Sequence, residues 1–292
     1  MRNLIQFMKD FVVPQSKKEW TISLISITVR NLTVMKKFYT QILGLSVLQE
    51  FDNEVLIGHG RGSIPLFKLV QGNGDSDSFL TTYSIGFRLA KSSQIGELIN
   101  HLIMEEQTII GSGFDGYTTN FYIMDPEENR LKFMVVEDNS SQEVDQYLEG
   151  NEMKRSLHEF IDGIEGASEE FPASARITQL HYNVVDVEAT TEFLINNFSF
   201  KTTYDYVTKR KNFKVNRDGY SLAINSWNER NKNSKSIYGL SMIEWRVPNM
   251  KELENLVLHL EMNQVPFHYY DAYLKVPTKD GIEYCFKVGD HS

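Results

Sequence analysis

Apolar positions along this chain switch between two rhythms. In SLISITV, Ile25, Ile27 and Val29 fall at every second position, the spacing of a strand that buries one face. The following stretch, RNLTVMKKFYTQILGL, changes to helical spacing. Met35, Phe38, Tyr39, Ile42 and Leu43 form one stripe, and Gly44 suits a helix C-terminal cap. The same grammar returns three times. SIGFRL precedes a stripe of Ile95, Leu98, Ile99 and Leu102; QLHYNV precedes Phe193 and Leu194; MIEWRV precedes Leu253, Leu256, Val257 and Leu260. Val184 follows Val29 by nearly the interval at which Val247 follows Leu89, so modules one and two are repeated as modules three and four.

Alternation also assigns the strand faces. Ile25, Ile27 and Val29 must cover helices, leaving Leu24, Ser26 and Thr28 opposite. By the same rule Ser84, Gly86 and Arg88 oppose the apolar face of SIGFRL. Gln179, His181 and Asn183 do so in QLHYNV, and Met242, Glu244 and Arg246 in MIEWRV. Of the closing strands, one turns Leu131, Phe133 and Val135 inward and leaves Lys132 and Met134; the other turns Ile282, Tyr284 and Phe286 inward and leaves Glu283, Cys285 and Lys287. The chain divides into an N-terminal arm (1–19), a first domain of modules one and two (20–136), an acidic connector (137–175) with a helix expected near Lys154 to Ile164, and a second domain of modules three and four (176–292).

VRNLTVMKKFYTQILGLSVL is similar to the first-module signature of the vicinal oxygen chelate superfamily, which comprises glyoxalases, bleomycin-resistance proteins and extradiol dioxygenases. DPEENRLKFMVVE resembles that superfamily's turn and closing strand. DGYSLAINSWNERNKNSKSIYGLSMIEWRVPNMKEL resembles a stretch of bacterial catechol 2,3-dioxygenase-like proteins. The resemblance implies an α+β fold of four βαβββ modules, paired into two cupped half-barrel domains. It further implies a divalent metal held by His, Gln or Glu on the first and last strands of paired modules. The matching positions here are Leu24, Ser84 and Lys132 in the first half, and Gln179, Met242 and Cys285 in the second.

These side chains do not form the expected donor set. An ammonium in place of a carboxylate removes a ligand and adds repulsion, about 4 kcal/mol for like charges 4 Å apart at an effective dielectric of 20. Thioether and thiol suit soft Cu(I) better than Fe or Mn. The expectation is therefore a protein that has lost its metal, needs no cofactor, and binds a small aromatic or anionic molecule in a polar cup. Arg88, Tyr122 and Lys132 are the candidate ligand contacts in the first cup. In the second they are Gln179, His181, Glu244, Arg246, Lys275 and Cys285, with His181 and Glu244 the best catalytic candidates. The alternative is a divergent ring-cleaving dioxygenase or glyoxalase-like lyase or isomerase, using Fe or Mn around Gln179, His181 and Glu244. The other histidines (His59, His101, His158, His259, His268, His291) lack metal-ligand spacing, and His101 and His259 are expected to be solvated on their helices. Gly58, Gly60 and Gly62 read as a hairpin and not as a phosphate loop.

Composition narrows the partners. With 41% hydrophobic residues the chain can build full cores, and its net charge of −9 comes without a basic stripe to neutralise nucleic-acid phosphates. The single cysteine excludes an intrachain disulfide and fits a reducing cytoplasm. No run of residues is long and apolar enough for a membrane span. The expected partner is a small molecule; association into a homodimer is open.

Overall fold

A computed structural model describes residues 20–60, 63, 65–73, 79–115, 118–136, 153–205, 210–214, 221–226 and 237–289. The N-terminal arm, most of the acidic run after Val136, and Gly62 lie outside those residues. Module one runs β1 (Thr21–Val29), α1 (Leu32–Lys37), β2 (Ser46–Phe51), β3 (Glu54–Gly58) and β4 (Pro65–Gln71). The α1 stripe continues as a π-helical turn over Phe38–Ile42. A short strand β5 (Phe79–Leu80) leads into module two: β6 (Thr82–Arg88), α2 (Ser92–Met104), β7 (Ile109–Phe114), β8 (Thr118–Met124) and β9 (Arg130–Val136).

After β10 (Met153–Lys154) and the single turn α3 (His158–Ile161), module three comprises β11 (Arg176–Asn183), α4 (Val187–Phe198), β12 (Lys201–Asp205), β13 (Arg210–Lys214) and β14 (Ser221–Asn225). Module four comprises β15 (Ile237–Val247), α5 (Met250–Met262), β16 (His268–Tyr270), β17 (Tyr273–Pro277) and β18 (Glu283–Val288). The predicted apolar faces are buried as expected: Ile25, Ile27, Val29, Ile85, Phe87, Leu180, Tyr182, Ile243, Trp245 and Val247 all lie in one core. Among the described residues no helix is long and apolar enough to cross a membrane.

Every module closes on itself in the same way, its first strand running parallel to its last: β1 with β4, β6 with β9, β11 with β14 and β15 with β18. Each first strand then has one free edge. The expected joining of module one to two, and of three to four, is corrected here. β1 pairs antiparallel with β15, and β6 with β11. Modules one and four therefore share one sheet, here called the outer cup; modules two and three share the other, the inner cup. All four first strands carry the same alternation, so any pairing of their edges buries the same faces, and backbone hydrogen bonds do not read side chains.

Neighbouring modules meet instead through their helix-covered faces. Tyr39 at the end of the first helix donates to the buried Asp125 carboxylate in the β8–β9 turn, and Thr190 on α4 donates to Asp280 in the β17–β18 turn. His101 and His259 are buried rather than solvated, at 4% and 5% exposure. Nε2 of His101 lies 3.0 Å from the Ile42 carbonyl oxygen, and that of His259 lies 2.7 Å from the Asn196 carbonyl oxygen. Each ties one helix to the end of its neighbour, where carbonyls lack intrahelical partners. The described part of the connector belongs to the same layer. Its helix is one turn rather than the longer segment expected, and Phe171 inserts beside Phe87 and Phe133. Gly44, at φ +73°, lets that strap close: a Cβ there would stand 2.0 Å from the Glu169 carbonyl oxygen.

Candidate functional site

The re-pairing redistributes every candidate side chain. Leu24, Met242, Glu244, Arg246, Lys275 and Cys285 belong to the outer cup, whereas Ser84, Arg88, Tyr122, Lys132, Gln179 and His181 belong to the inner one. The proposed pairing of His181 with Glu244 is overturned, since the two stand on different sheets. Arg88, Tyr122 and Lys132 share a cup as expected, but with Gln179 and His181 as well.

The outer cup is filled by its own charges. The Glu244 carboxylate accepts from Ser23 at 2.7 Å and from Tyr273 at 3.0 Å, and pairs with Lys287 at 2.7 Å. Lys275 stands 3.4 Å from Glu283. Cys285 is buried among these groups, and burial pushes its thiol up to about 12 against the opposing hydrogen bond from Tyr273. That raised value leaves it without the thiolate character of an activated nucleophile.

The inner cup keeps the arginine, Arg88 for Arg246, but differs at the positions around it. Gly86 stands where the outer cup has Glu244, so Met134 and Gln179 close over that position in place of a carboxylate; Arg130 replaces Glu283, and Lys132 replaces Cys285. Lys132 donates to Asp115 at 2.9 Å, and Asp115 is held in turn by Thr118. The Asn225 amide donates to Nε2 of His181, which occupies the position of Ser26. Tyr83 packs against the His181 ring, tilted by 55° with 4.4 Å between centroids.

Tyr83 was missed by alternation because it sits in a β-bulge. Tyr182 pairs with Thr82 and His181 with Ser84, which leaves Tyr83 as the extra residue, re-aimed into the cup. Arg130 was missed for a plainer reason, since the expected closing strand was counted only from Leu131. Its guanidinium lies 5.3 Å from the centre of the Tyr83 ring and 5.7 Å from that of Tyr122. The inner cup thus gathers Arg88, Arg130 and Lys132 with the Asp115 carboxylate and the rings of Tyr83 and Tyr122. The outer cup sets Glu244 and Glu283 against Lys275, Lys287 and Arg246, the counterpart of Arg88.

Neither cup fits the divalent metal of the resembled superfamily. The outer positions offer a hydrocarbon, a thioether and a neutral thiol, with the nearby carboxylate already saturated. The inner positions offer a hydroxyl, an amide and an ammonium. Among the described residues no three His, Cys, Asp or Glu side chains converge as a donor set.

Residues 21–133 match the family model described as Glyoxalase/Bleomycin resistance protein/Dioxygenase superfamily. The chain is 24% identical over 243 residues to a catechol-2,3-dioxygenase of Bacillus subtilis (strain 168), covering 78% of this chain and 83% of that protein. Among solved structures, a candidate dioxygenase from Bacillus subtilis subsp. subtilis str. 168 superposes with a TM-score of 0.61 at 12% identity, over 94% of this chain and 86% of the other. Glyoxalase I from Zea mays superposes with a TM-score of 0.54 at 13% identity, over 92% of each chain. At such identities the structural likeness speaks for the fold alone.

Proposed function

We propose, from the membership of this chain in the glyoxalase/bleomycin resistance/dioxygenase superfamily, that it binds a small aromatic or anionic molecule in its inner cup without a metal ion. The observation that carries this reading is the contrast at one structural position. Glu244 places a carboxylate on the outer floor inside a paired cluster, while Gly86 places no charge on the inner floor, which Met134 and Gln179 line beside Arg130, Lys132, Tyr83, Tyr122 and His181. A concave surface with convergent cations and phenol rings suits a ligand that carries negative charge or a π-face. Gln179 and His181 supply polar contacts at the same floor, and Arg88 adds charge at the end of β6.

Calorimetric titration with salicylate and catechol tests the reading. Binding is expected in the wild type and in Leu24→Phe, which crowds the outer cup. It is expected to fall at least about tenfold in Ser84→Phe, which crowds the inner one. Equal loss in both variants, or in neither, sinks the assignment to the inner cup.

The likeness to a catechol-2,3-dioxygenase favours a second reading, ring cleavage at an unorthodox metal site. The donor chemistry opposes it, because a ring-cleaving centre needs hard ligands with open positions. Stoichiometric iron or manganese in untagged protein, with oxygen uptake on catechol, would establish that reading in place of the first.

A further inference from the structure

Resting on the inner-cup reading, we infer that its ligand is both aromatic and anionic, and that Arg130 is the residue that selects it. Leu131, Phe133 and Val135 turn into the core, so Arg130 and Lys132 point into the cup together. Their situations differ. Lys132 is paired with Asp115. Arg130 is half-buried, and among the described residues its contacts are two ring faces, those of Tyr83 and Tyr122. No carboxylate or carbonyl meets its N–H donors there.

A guanidinium offers five donors in a planar fork matched to a carboxylate, and stacking on a ring satisfies none of them. The guanidinium carbon stands over both tyrosine rings, 5.3 Å and 5.7 Å from their centres. A neutral arene entering there would displace the guanidinium from both rings and give it nothing in return. A non-aromatic anion would pair with the fork but would not replace the guanidinium beside the tyrosine rings. An arene bearing a carboxylate does both: its ring takes the tyrosine faces while its carboxylate takes the displaced fork.

Three probes separate these cases by calorimetry: 1-naphthoate, the neutral 1-naphthamide, and cyclohexanecarboxylate. Wild-type protein is expected to bind 1-naphthoate at least about tenfold more tightly than either of the others. In Arg130→Gln that affinity is expected to drop about tenfold, while 1-naphthamide changes by less than about twofold; Arg130→Lys, which keeps charge without the fork, should fall between. A preference for 1-naphthoate that survives Arg130→Gln overturns the inference. If Arg130→Gln fails to melt cooperatively, Arg130→Lys decides alone, and an affinity for 1-naphthoate unchanged there overturns it. Cyclohexanecarboxylate binding as tightly as 1-naphthoate would leave the inner cup as an anion site and remove the aromatic requirement. Failure of all three probes on the wild type would remove the inner-cup reading as well.

Discussion

The two cups share one backbone plan and differ in what fills their floors. Both are built from two modules joined edge to edge through their first strands, and both junctions carry two register shifts. At corresponding positions the outer cup has Glu244, Glu283 and Cys285, whereas the inner has Gly86, Arg130 and Lys132. At a shared bulge the outer cup has Ser241, whose hydroxyl donates back to the Ser26 carbonyl, and the inner has Tyr83. A buried carboxylate requires partners, and Glu244 has recruited Lys287, Tyr273 and Ser23. A glycine imposes no such demand. On that shared plan the outer cup pairs its buried carboxylate Glu244 with Lys287, and the inner one pairs Lys132 with Asp115 and sets Arg130 against the rings of Tyr83 and Tyr122.

Exchange of the floor residues tests this comparison most severely. Gly86→Glu brings a carboxylate under Arg130 and Lys132, and 1-naphthoate affinity is expected to fall about a hundredfold or more by titration, since the cations then have an internal partner. The site is tight, with a Cβ 2.7 Å from Met134 and 2.8 Å from Gln179, so a stability loss of about 1–3 kcal/mol by denaturant melts should accompany it.

The converse change, Glu244→Gln, strips the outer cluster of its charge. Denaturant unfolding should show a loss of about 1–3 kcal/mol, moderated because Lys287 is partly solvated and keeps water as a partner. Affinity in the inner cup should not move. A parallel loss of 1-naphthoate binding would mean that the cups are not independent.

A smaller effect concerns the anchors behind the cups. Burial raises the Asp125 carboxyl to about 6, against the opposing hydrogen bonds from Asn129, Glu127 and Tyr39. A carboxyl that binds its proton more tightly when folded stabilises the fold fully below the unfolded value near 4. That contribution is lost as pH rises through about 6, roughly 2–3 kcal/mol for this group. Asp125→Asn is expected to flatten the corresponding slope in urea midpoints between about pH 4 and 7. An unchanged slope would assign the pH dependence elsewhere.

The smallest expected response is to chelation. Dialysis against a strong chelator should leave both the melting temperature and 1-naphthoate affinity unaltered, because among the described residues neither cup gathers a hard donor set. A drop in melting temperature that added manganese or iron restores would break the comparison at its root.

The sequence by itself determined the modules. Period-two and period-3.6 patterns are local consequences of which side of a strand or helix meets apolar neighbours, so Ile25, Phe87, Tyr182 and Trp245 could be placed in the core from their spacing alone. The repeat interval was also legible, and it contains a signal that went unread: His101 and His259 are separated by the same interval as Leu89 and Val247 and perform the same helix-end bond. Only the tertiary structure decided which modules share a sheet, because four equivalent edges offer the same backbone donors and acceptors to any partner. That choice separated His181 from Glu244 and joined Gln179 to Lys132. Tyr83 likewise depended on the fold, since a bulge is defined by the opposing strand and leaves no periodic trace in its own.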